Sequence, residues 1–142
     1  LAAAFAAALD AGRTDAPRLE ALGAALVRRL EAVRGPGVSV AALVGAPRSH
    51  RIDALVLKGV PAMTQLMALD LAGFAVSAGS ACSSGKVEAS PVLRAMGLPP
   101  EVAGCTIRVS LGWTTTEDEV ERFAAAYLAV AERLSAPGPS ML

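Results

Sequence analysis

The sequence predicts a small α/β domain of the α+β kind, in which a small sheet packs against helices. Segments with helical periodicity alternate along the chain with short apolar segments typical of strands. The 142 residues suit one compact core, and the sequence contains no internal repeat and no domain-sized linker. We therefore expect one domain that is preceded by a leading helix.

The first 33 residues predict two helices separated by a break. Residues 1–11 are helical by their alanine content, and the stretch from Gly12 to Pro17 is predicted to end that helix. From Ala16 to Val33, leucine and valine recur every three or four residues, which indicates an amphipathic helix. The Gly-Pro-Gly sequence at residues 35–37 is expected to terminate it.

The middle of the chain predicts strands on either side of one helix. Residues 38–44 and 52–60 are short apolar segments typical of strands, with a loop between them. Residues 62–71 predict a helix stopped by Gly73, and residues 74–76 predict a short strand that leads into the next loop.

A short helix is predicted after that loop. Ser90 offers a capping hydroxyl and Pro91 suits the first helical position. Gly97 and the prolines at residues 99 and 100 are expected to close this helix.

The last two elements are a strand and a helix. Residues 106–111 alternate in polarity, which predicts a strand with Arg108 and Ser110 on its polar face. Thr116 and Glu119 have capping-box spacing at the start of a helix that runs to about Leu134.

Composition argues against several classes of protein. The formal net charge is zero with scattered basic residues, which is unlike a nucleic-acid binder, and no apolar run reaches the roughly 20 residues of a membrane span. The two cysteines, Cys82 and Cys105, form neither a disulfide scaffold nor a metal cage, although a metal or redox site that uses both remains a weak alternative. A reducing cytoplasm is the default expectation.

The loop at residues 77–86 is the most informative segment. It places Cys82 among glycine, serine and alanine, which cannot fix a core and which leave the backbone free. A cysteine in such a loop is typical of a thiol that must move and react. The alternative is an inert cysteine that is exposed or half-buried.

Four motifs follow one another in the second half of the chain. They are Leu-Met-Ala-Leu-Asp at residues 66–70, Ser-Ala-Cys-Ser-Ser-Gly at 80–85, Pro-Val-Leu-Arg-Ala-Met-Gly at 91–97 and Ile-Arg-Val-Ser-Leu-Gly at 107–112. In their order and spacing the chain resembles the cysteine desulfurases, in particular their NifS/IscS-like branch. The resemblance implies the C-terminal small domain of a fold-type I, pyridoxal-phosphate-dependent transferase.

The resemblance also implies a division of the chain. Residues 1–15 would be the helix that links to a large domain, residues 16–136 the small domain, and residues 137–142 a frayed tail. In the family, pyridoxal phosphate is bound by a lysine of the large domain, and neither Lys58 nor Lys86 occupies the corresponding place. The chain alone is expected to be inactive and to expose apolar surface along residues 1–9.

Two site residues follow from the resemblance. Cys82 corresponds to the nucleophile that takes sulfur from L-cysteine as a persulfide and leaves L-alanine. Arg108 corresponds to the arginine that holds the substrate carboxylate; without the family, a solvated or ion-paired arginine would be favoured. Lys86 could lower the pKa of the thiol but is expected to be solvated, Cys105 is expected to be structural, and His50 is given no catalytic role.

The family resemblance implies partners as well. These are the large domain, a second copy in a homodimer, and a sulfur acceptor such as an iron–sulfur scaffold or a tRNA-thiolation factor. Two alternatives keep the same fold: a non-catalytic domain that binds a partner, and a related pyridoxal-phosphate enzyme acting on another amino acid. The presence of both Cys82 and Arg108 favours the desulfurase.

Overall fold

A computed structural model describes residues 2–32, 38–39, 49, 51–79 and 90–135. In chain order the elements are α1 (Ala2–Ala32), β1 (Val38–Ser39), β2 (Ile52–Leu57), α2 (Ala62–Leu71), β3 (Ser77–Ala78), α3 (Pro91–Ala95), α4 (Pro100–Ala103), β4 (Thr106–Ser110) and α5 (Glu117–Ser135). Within these residues, no helix combines the length and the apolar character needed to cross a membrane.

The strands form one antiparallel sheet in the order β1-β2-β4-β3. Strands β2 and β4 pair along five residues, whereas β3 pairs with β4 only at Ser77–Arg108 and Ala78–Ile107. The predicted α+β class, a small sheet packed with helices, is confirmed.

The main core lies between one face of the sheet and the helices α1, α2 and α5. Leu55 and Ile107, which face each other across β2 and β4, are fully buried there. The leucine stripe of α1 is also buried, and the ion pair between Arg29 and Glu121 (3.1 Å) joins α1 to α5 at the surface. The buried leucines of α1 are Leu19, Leu22, Leu26 and Leu30.

The predicted break between residues 12 and 17 is wrong, because α1 is one helix with Pro17 inside it. The Asp15–Arg18 ion pair (3.6 Å) spans the proline, and Arg18 donates hydrogen bonds to the carbonyl oxygens of Trp113 and Thr115. These contacts hold the helix at the place where proline removes one backbone hydrogen bond. The division at residue 15 stays a prediction.

The ends of α2 and α5 form as predicted. Helix α2 closes in a Schellman motif: Gly73 has φ 85°, and the Phe74 N–H donates to the Leu69 carbonyl at 2.9 Å. Helix α5 opens with a reciprocal capping box, in which the Glu119 N–H donates to Thr116 Oγ1 and the Thr116 N–H donates to a Glu119 carboxylate oxygen.

Two predicted strands have different bounds. Strand β2 ends at Leu57 rather than at residue 60, because Gly59 (φ 79°) turns the chain and the Val60 N–H bonds back to Leu57. Residues 74–76 are not a strand; the strand is formed by Ser77–Ala78, which meet the edge of β4. Of the predicted strand at residues 38–44, only residues 38–39 are described, and these are in β1.

Helix α4 has no counterpart among the elements predicted from the sequence. The prolines at residues 99 and 100 are expected to close the preceding helix, but Pro100 occupies the first position of a new short helix. Thr106 Oγ1 donates to the Val102 carbonyl at 2.7 Å and so ties α4 to the start of β4.

Candidate functional site

Arg108 lies at the middle of β4, on the sheet face opposite the main core. Its cross-strand neighbours are Ala54 on β2 and Ser77 on β3. Directly opposed residues share a face of the sheet, so the arginine stands between two small side chains. The next residues along β4 on that face, Thr106 and Ser110, are also small. This pattern leaves open space around an exposed guanidinium.

A cavity of about 230 Å³ adjoins Arg108. Its walls come from β2, β4, α3 and Gly79, the residue that follows β3. Three apolar side chains of the lining are partly exposed: Ile52 at 53%, Val92 at 64% and Met96 at 47%. The cavity lining therefore includes one cation, Arg108, and one acidic residue, Asp53, among largely apolar residues.

Helix α3 positions part of that wall. The Leu93 N–H donates to Ser90 Oγ at 3.5 Å, a long capping bond, and Pro91 fills the first helical position. At the other end, Gly97 has φ 85° and the Leu98 N–H donates to the Leu93 carbonyl at 3.0 Å. With both ends fixed, the helix holds its buried Leu93 against the cavity. The predicted cap at Ser90 and stop at Gly97 are confirmed.

The guanidinium of Arg108 has no ion-pair partner within the described ranges. The ion pairs found there join Arg18 to Asp15 and Arg29 to Glu121, both away from the cavity. An arginine presents a planar set of donors that matches a carboxylate in a two-pronged arrangement. The site is thus suited to bind a small carboxylate.

The predicted nucleophile Cys82 lies outside the described residues, as do Lys86 and His50. The structure does describe the residues that flank its segment: Gly79 on one side and Ser90 on the other. Both line the cavity beside Arg108. Of the predicted loop at residues 77–86, Ser77 and Ala78 form β3.

Cys105 lies in the turn before β4 and is partly buried. Its carbonyl oxygen accepts from the Leu57 N–H (3.2 Å) and from Gln65 Nε2 (2.9 Å), so its backbone helps to join β2, α2 and β4. Among the residues described, no group of three or more histidine, cysteine and acidic side chains could hold a metal ion.

Sequence reasoning missed the apolar wall and the small neighbours of Arg108. The wall brings together Ile52 from β2 with Val92 from α3 and with Met96, the residue that follows α3. Their separation in the sequence gives no sign of this proximity. The i, i+4 spacing of Val92 and Met96 was the available signal, because it places both on one side of a helix.

The described residues do not fit pyridoxal phosphate itself. A lysine would have to reach the cofactor, but Lys58 is exposed in the turn after β2, four residues along the chain from Ala54. Four residues of extended chain correspond to about 13 Å. Among the described residues, no lysine is therefore placed to hold the cofactor at the Arg108 cavity.

The family model for aminotransferase class-V matches residues 2–123. The chain belongs to this family. The class-V match includes α1, the sheet and the first part of α5, so it contains the whole of the Arg108 cavity.

Relatives of this class-V chain include cysteine desulfurases. It is 39% identical over 95 residues to cysteine desulfurase of Klebsiella pneumoniae, covering 67% of this chain and 24% of that protein. It is 35% identical over 129 residues to cysteine desulfurase IscS of Haemophilus influenzae, covering 89% of this chain and 30% of that protein.

A solved structure supports the same family assignment. A NifS-like protein of Rickettsia africae superposes with a TM-score of 0.66 at 25% identity, over 80% of this chain and 28% of that one. The predicted resemblance to NifS/IscS-like proteins is confirmed. The chain spans less than a third of the length of each of these three relatives.

Proposed function

We propose that this chain is part of a pyridoxal-phosphate-dependent cysteine desulfurase that converts L-cysteine to L-alanine. In this proposal Arg108 binds the substrate carboxylate, and Cys82 accepts the substrate sulfur as a persulfide. The observation that carries the proposal is the position of Arg108. Its exposed guanidinium adjoins a cavity lined by residues from both flanks of the Cys82 segment.

The chain's connectivity supports bringing the two groups together. Cys82 is three residues from Gly79, a distance of about 11 Å at full extension, and Gly79 lines the Arg108 cavity. This covalent distance is short enough to permit the proposed approach of the Cys82 thiol to a substrate bound at Arg108. Anchoring the carboxylate fixes one end of the substrate, which makes the attack effectively intramolecular.

The proposed sulfur transfer balances without an external oxidant or reductant. The Cys82 sulfur forms a bond to the substrate sulfur while the carbon–sulfur bond of L-cysteine breaks. The carbon gains a proton and leaves as L-alanine, and the transferred sulfur remains on Cys82 as a persulfide. Pyridoxal phosphate would supply the electron withdrawal that this cleavage needs. It would be bound by a lysine-bearing large domain that is not contained in the described residues.

Further parts of the proposal concern partners. The complete enzyme would work as a homodimer in the cytoplasm and would pass its sulfur to an acceptor, such as an iron–sulfur scaffold or a tRNA-thiolation factor. The coverage of the relatives supports a larger enzyme, since each compared relative is more than three times as long as the matched segment.

The test combines the chain with the lysine-bearing part of a cysteine desulfurase, pyridoxal phosphate and L-cysteine. We expect intact-mass analysis to show a gain of one sulfur atom that a reductant removes. Cys82→Ser should abolish the gain, and the matched control Cys105→Ser should retain it. Arg108→Gln should reduce the gain by weakening substrate binding, and a higher L-cysteine concentration should restore it.

Two outcomes would contradict the proposal. If the cofactor is bound and wild type gains no sulfur, a non-catalytic domain that binds a partner becomes the better explanation. If Cys105→Ser rather than Cys82→Ser abolishes the gain, the acceptor has been assigned to the wrong thiol.

A further inference from the structure

A groove of about 250 Å³ lies between helices α2 and α5. Both helices pack on the core face of the sheet, whereas Arg108 is on the opposite face, and the groove shares no lining residue with the Arg108 cavity. Leu71 at the end of α2 and Arg133 on α5 also line it. The rest of the lining is small side chains, namely Ala68, Ala72, Ala126, Ala129 and Val130. Small side chains leave room for another helix to approach closely.

Helix α2 carries a line of exposed apolar side chains beside this groove. Met63, Met67 and Leu71 are spaced four residues apart, so they lie along one side of the helix. Their exposed fractions are 42%, 58% and 89%. Isolated exposed apolar residues are ordinary, but three in line next to a groove form a surface that gains from being covered. Methionine side chains are flexible and adapt to the shape of a partner.

Helix α5 contributes two cations to the same region. Arg122 and Arg133 are both exposed and are eleven residues apart, which is three helical turns, so they lie on one face about 16 Å apart. Ala126 and Ala129 lie between them on that face. Neither arginine takes part in the ion pairs found within the described ranges. The face therefore offers two guanidinium groups separated by small apolar residues.

The acidic side chains nearby do not neutralise both arginines. Glu121 is paired with Arg29, and the Glu119 carboxylate accepts from the Thr116 N–H at the start of α5. The other acidic residues of the two helices are exposed and lie outside the groove lining; they are Asp70, Glu117, Asp118 and Glu132. Since Asp118 precedes Arg122 by one turn, it weakens the positive charge at that end of the face. The stronger anchor for a carboxylate is therefore Arg133, which lines the groove itself.

The spacing of the arginines argues against a second copy of this chain as the occupant. Arg122 and Arg133 are equally far from the midpoint between Ala126 and Ala129. Antiparallel packing of two α5 helices about that midpoint would set Arg122 of one copy against Arg133 of the other. Parallel packing would set each arginine against itself. Both arrangements bring like charges together, whereas carboxylates at the same spacing would complement the face.

We propose that the groove between α2 and α5 is a docking surface for an amphipathic helix of another protein. The apolar side of that helix would pack on Met67, Leu71 and the alanines of the groove, and two acidic residues three turns apart would bind Arg122 and Arg133. This inference goes beyond the proposed function, because it uses neither Cys82 nor the Arg108 cavity.

The test measures the binding of two synthetic helical peptides of about 20 residues to the 142-residue chain. One peptide has leucines along one face and two glutamates on that face, eleven positions apart. The other has lysines in place of the glutamates. By fluorescence anisotropy at low salt, we expect about 10-fold tighter binding of the acidic peptide, with a smaller preference at high salt. Shifts of backbone amide resonances should appear at residues 63–72 and 122–133.

Variants separate the cations from the apolar surface. Arg122→Gln combined with Arg133→Gln should reduce the preference for the acidic peptide to less than about 3-fold. The control pair Arg28→Gln with Arg94→Gln removes two exposed arginines of α1 and α3, outside the groove, and should leave it unchanged.

Leu71→Ser should weaken both peptides by about 10-fold, because it removes apolar area from the contact. The control Leu9→Ser changes an exposed leucine of α1 and should weaken neither. All six substituted side chains are exposed, so thermal unfolding should confirm that each variant folds.

Several results would overturn the inference: no binding of either peptide, equal binding of both, shifts elsewhere, or a preference that survives the loss of Arg122 and Arg133. A wild-type chain that sediments as a dimer, and a Leu71→Ser variant that sediments as a monomer, would assign the groove to a second copy. Displacement of the acidic peptide by the lysine-bearing part of a cysteine desulfurase would make the groove a contact within the enzyme. Sulfur transfer to Cys82 is measured separately, so each proposal can fail alone.

Discussion

Tyr127 offers a sharp test of how the core is built. It is fully buried on α5 and stacks on Phe123, with ring centroids 6.1 Å apart. Its hydroxyl oxygen has no hydrogen-bond partner within the described part of the chain. Burial raises the pKa of Tyr127 far above its usual range, because the phenolate would lose its hydration. Tyr127 is the only tyrosine in the sequence, so its signal can be read alone.

The substitution Tyr127→Phe keeps the ring and removes the unpaired hydroxyl. A buried polar group without a partner costs about 1–3 kcal/mol, and removing the oxygen also loses some packing contacts. We therefore expect the free energy of unfolding at pH 7 to increase by about 1 kcal/mol. For a chain of this size, that corresponds to a rise of roughly 3 °C in melting temperature.

The pH dependence has a definite sign. The unfolded tyrosine ionises near its usual pKa of about 10, while the folded one keeps its proton to higher pH. The stability contributed by keeping this phenol protonated is therefore fully present below pH 10. As pH rises beyond that value, the free energy of unfolding falls by about 1.4 kcal/mol per pH unit. The Tyr127→Phe variant should not show this decrease in the free energy of unfolding.

Urea unfolding of both proteins, at neutral pH and in a series above pH 10, measures the two effects. The ultraviolet absorbance of tyrosinate gives an independent reading, since it should appear only when the chain unfolds. Two results would refute the reasoning: titration of the phenol in the folded protein near pH 10, or a Tyr127→Phe variant that is less stable than wild type by 1 kcal/mol.

Two further predictions concern the frame of the site. Gln65 is fully buried and its Nε2 donates to the carbonyl oxygens of Val60 (2.8 Å) and Cys105 (2.9 Å), while its Oε1 has no partner among the described residues. Because Gln65→Leu removes both the two bonds and the unpartnered oxygen, it should lower the free energy of unfolding by only about 1–2 kcal/mol. A change below 0.5 kcal/mol on urea titration would show that these bonds contribute little. Gly73→Ala should cost about 1 kcal/mol because its φ is 85°, whereas the control Gly12→Ala, inside α1, should stabilise by about 0.5–1 kcal/mol. Equal effects of the two glycine substitutions on thermal unfolding would contradict the conformational argument.

The features predictable from the sequence are those with local causes. The capping box at Thr116, the proline after Ser90 and the glycine at position 73 act on their immediate neighbours, and each forms as predicted. The alternation along β4 likewise placed Arg108 on the polar face, because period-2 patterning follows directly from strand geometry.

The predictions that were wrong concern features that depend on contacts between residues distant in the sequence. The helix continues through Pro17, where Arg18 bonds to carbonyl groups nearly 100 residues away. Strand β3 forms at Ser77 rather than at residue 74, because its position is set by the available edge of β4. The apolar wall has the same origin, since Ile52 and Met96 line one cavity only once the sheet and α3 have assembled.

The candidate binding site depends on where the fold places Arg108, and not on the charge of the arginine alone. Strand β4 is paired with β2 on one side and with β3 on the other at this residue, so the backbone that carries the guanidinium is held between two strands. The flanking Ala54 and Ser77 are small, and a larger side chain at either position would fill the space beside the cation without altering its charge. Immediately after β3, Gly79 (φ 52°) turns the chain into the cavity wall, so the covalent path towards Cys82 starts beside this space. A cation held in place beside the start of the segment that carries Cys82 is the arrangement we expect for the proposed sulfur transfer from a small amino acid.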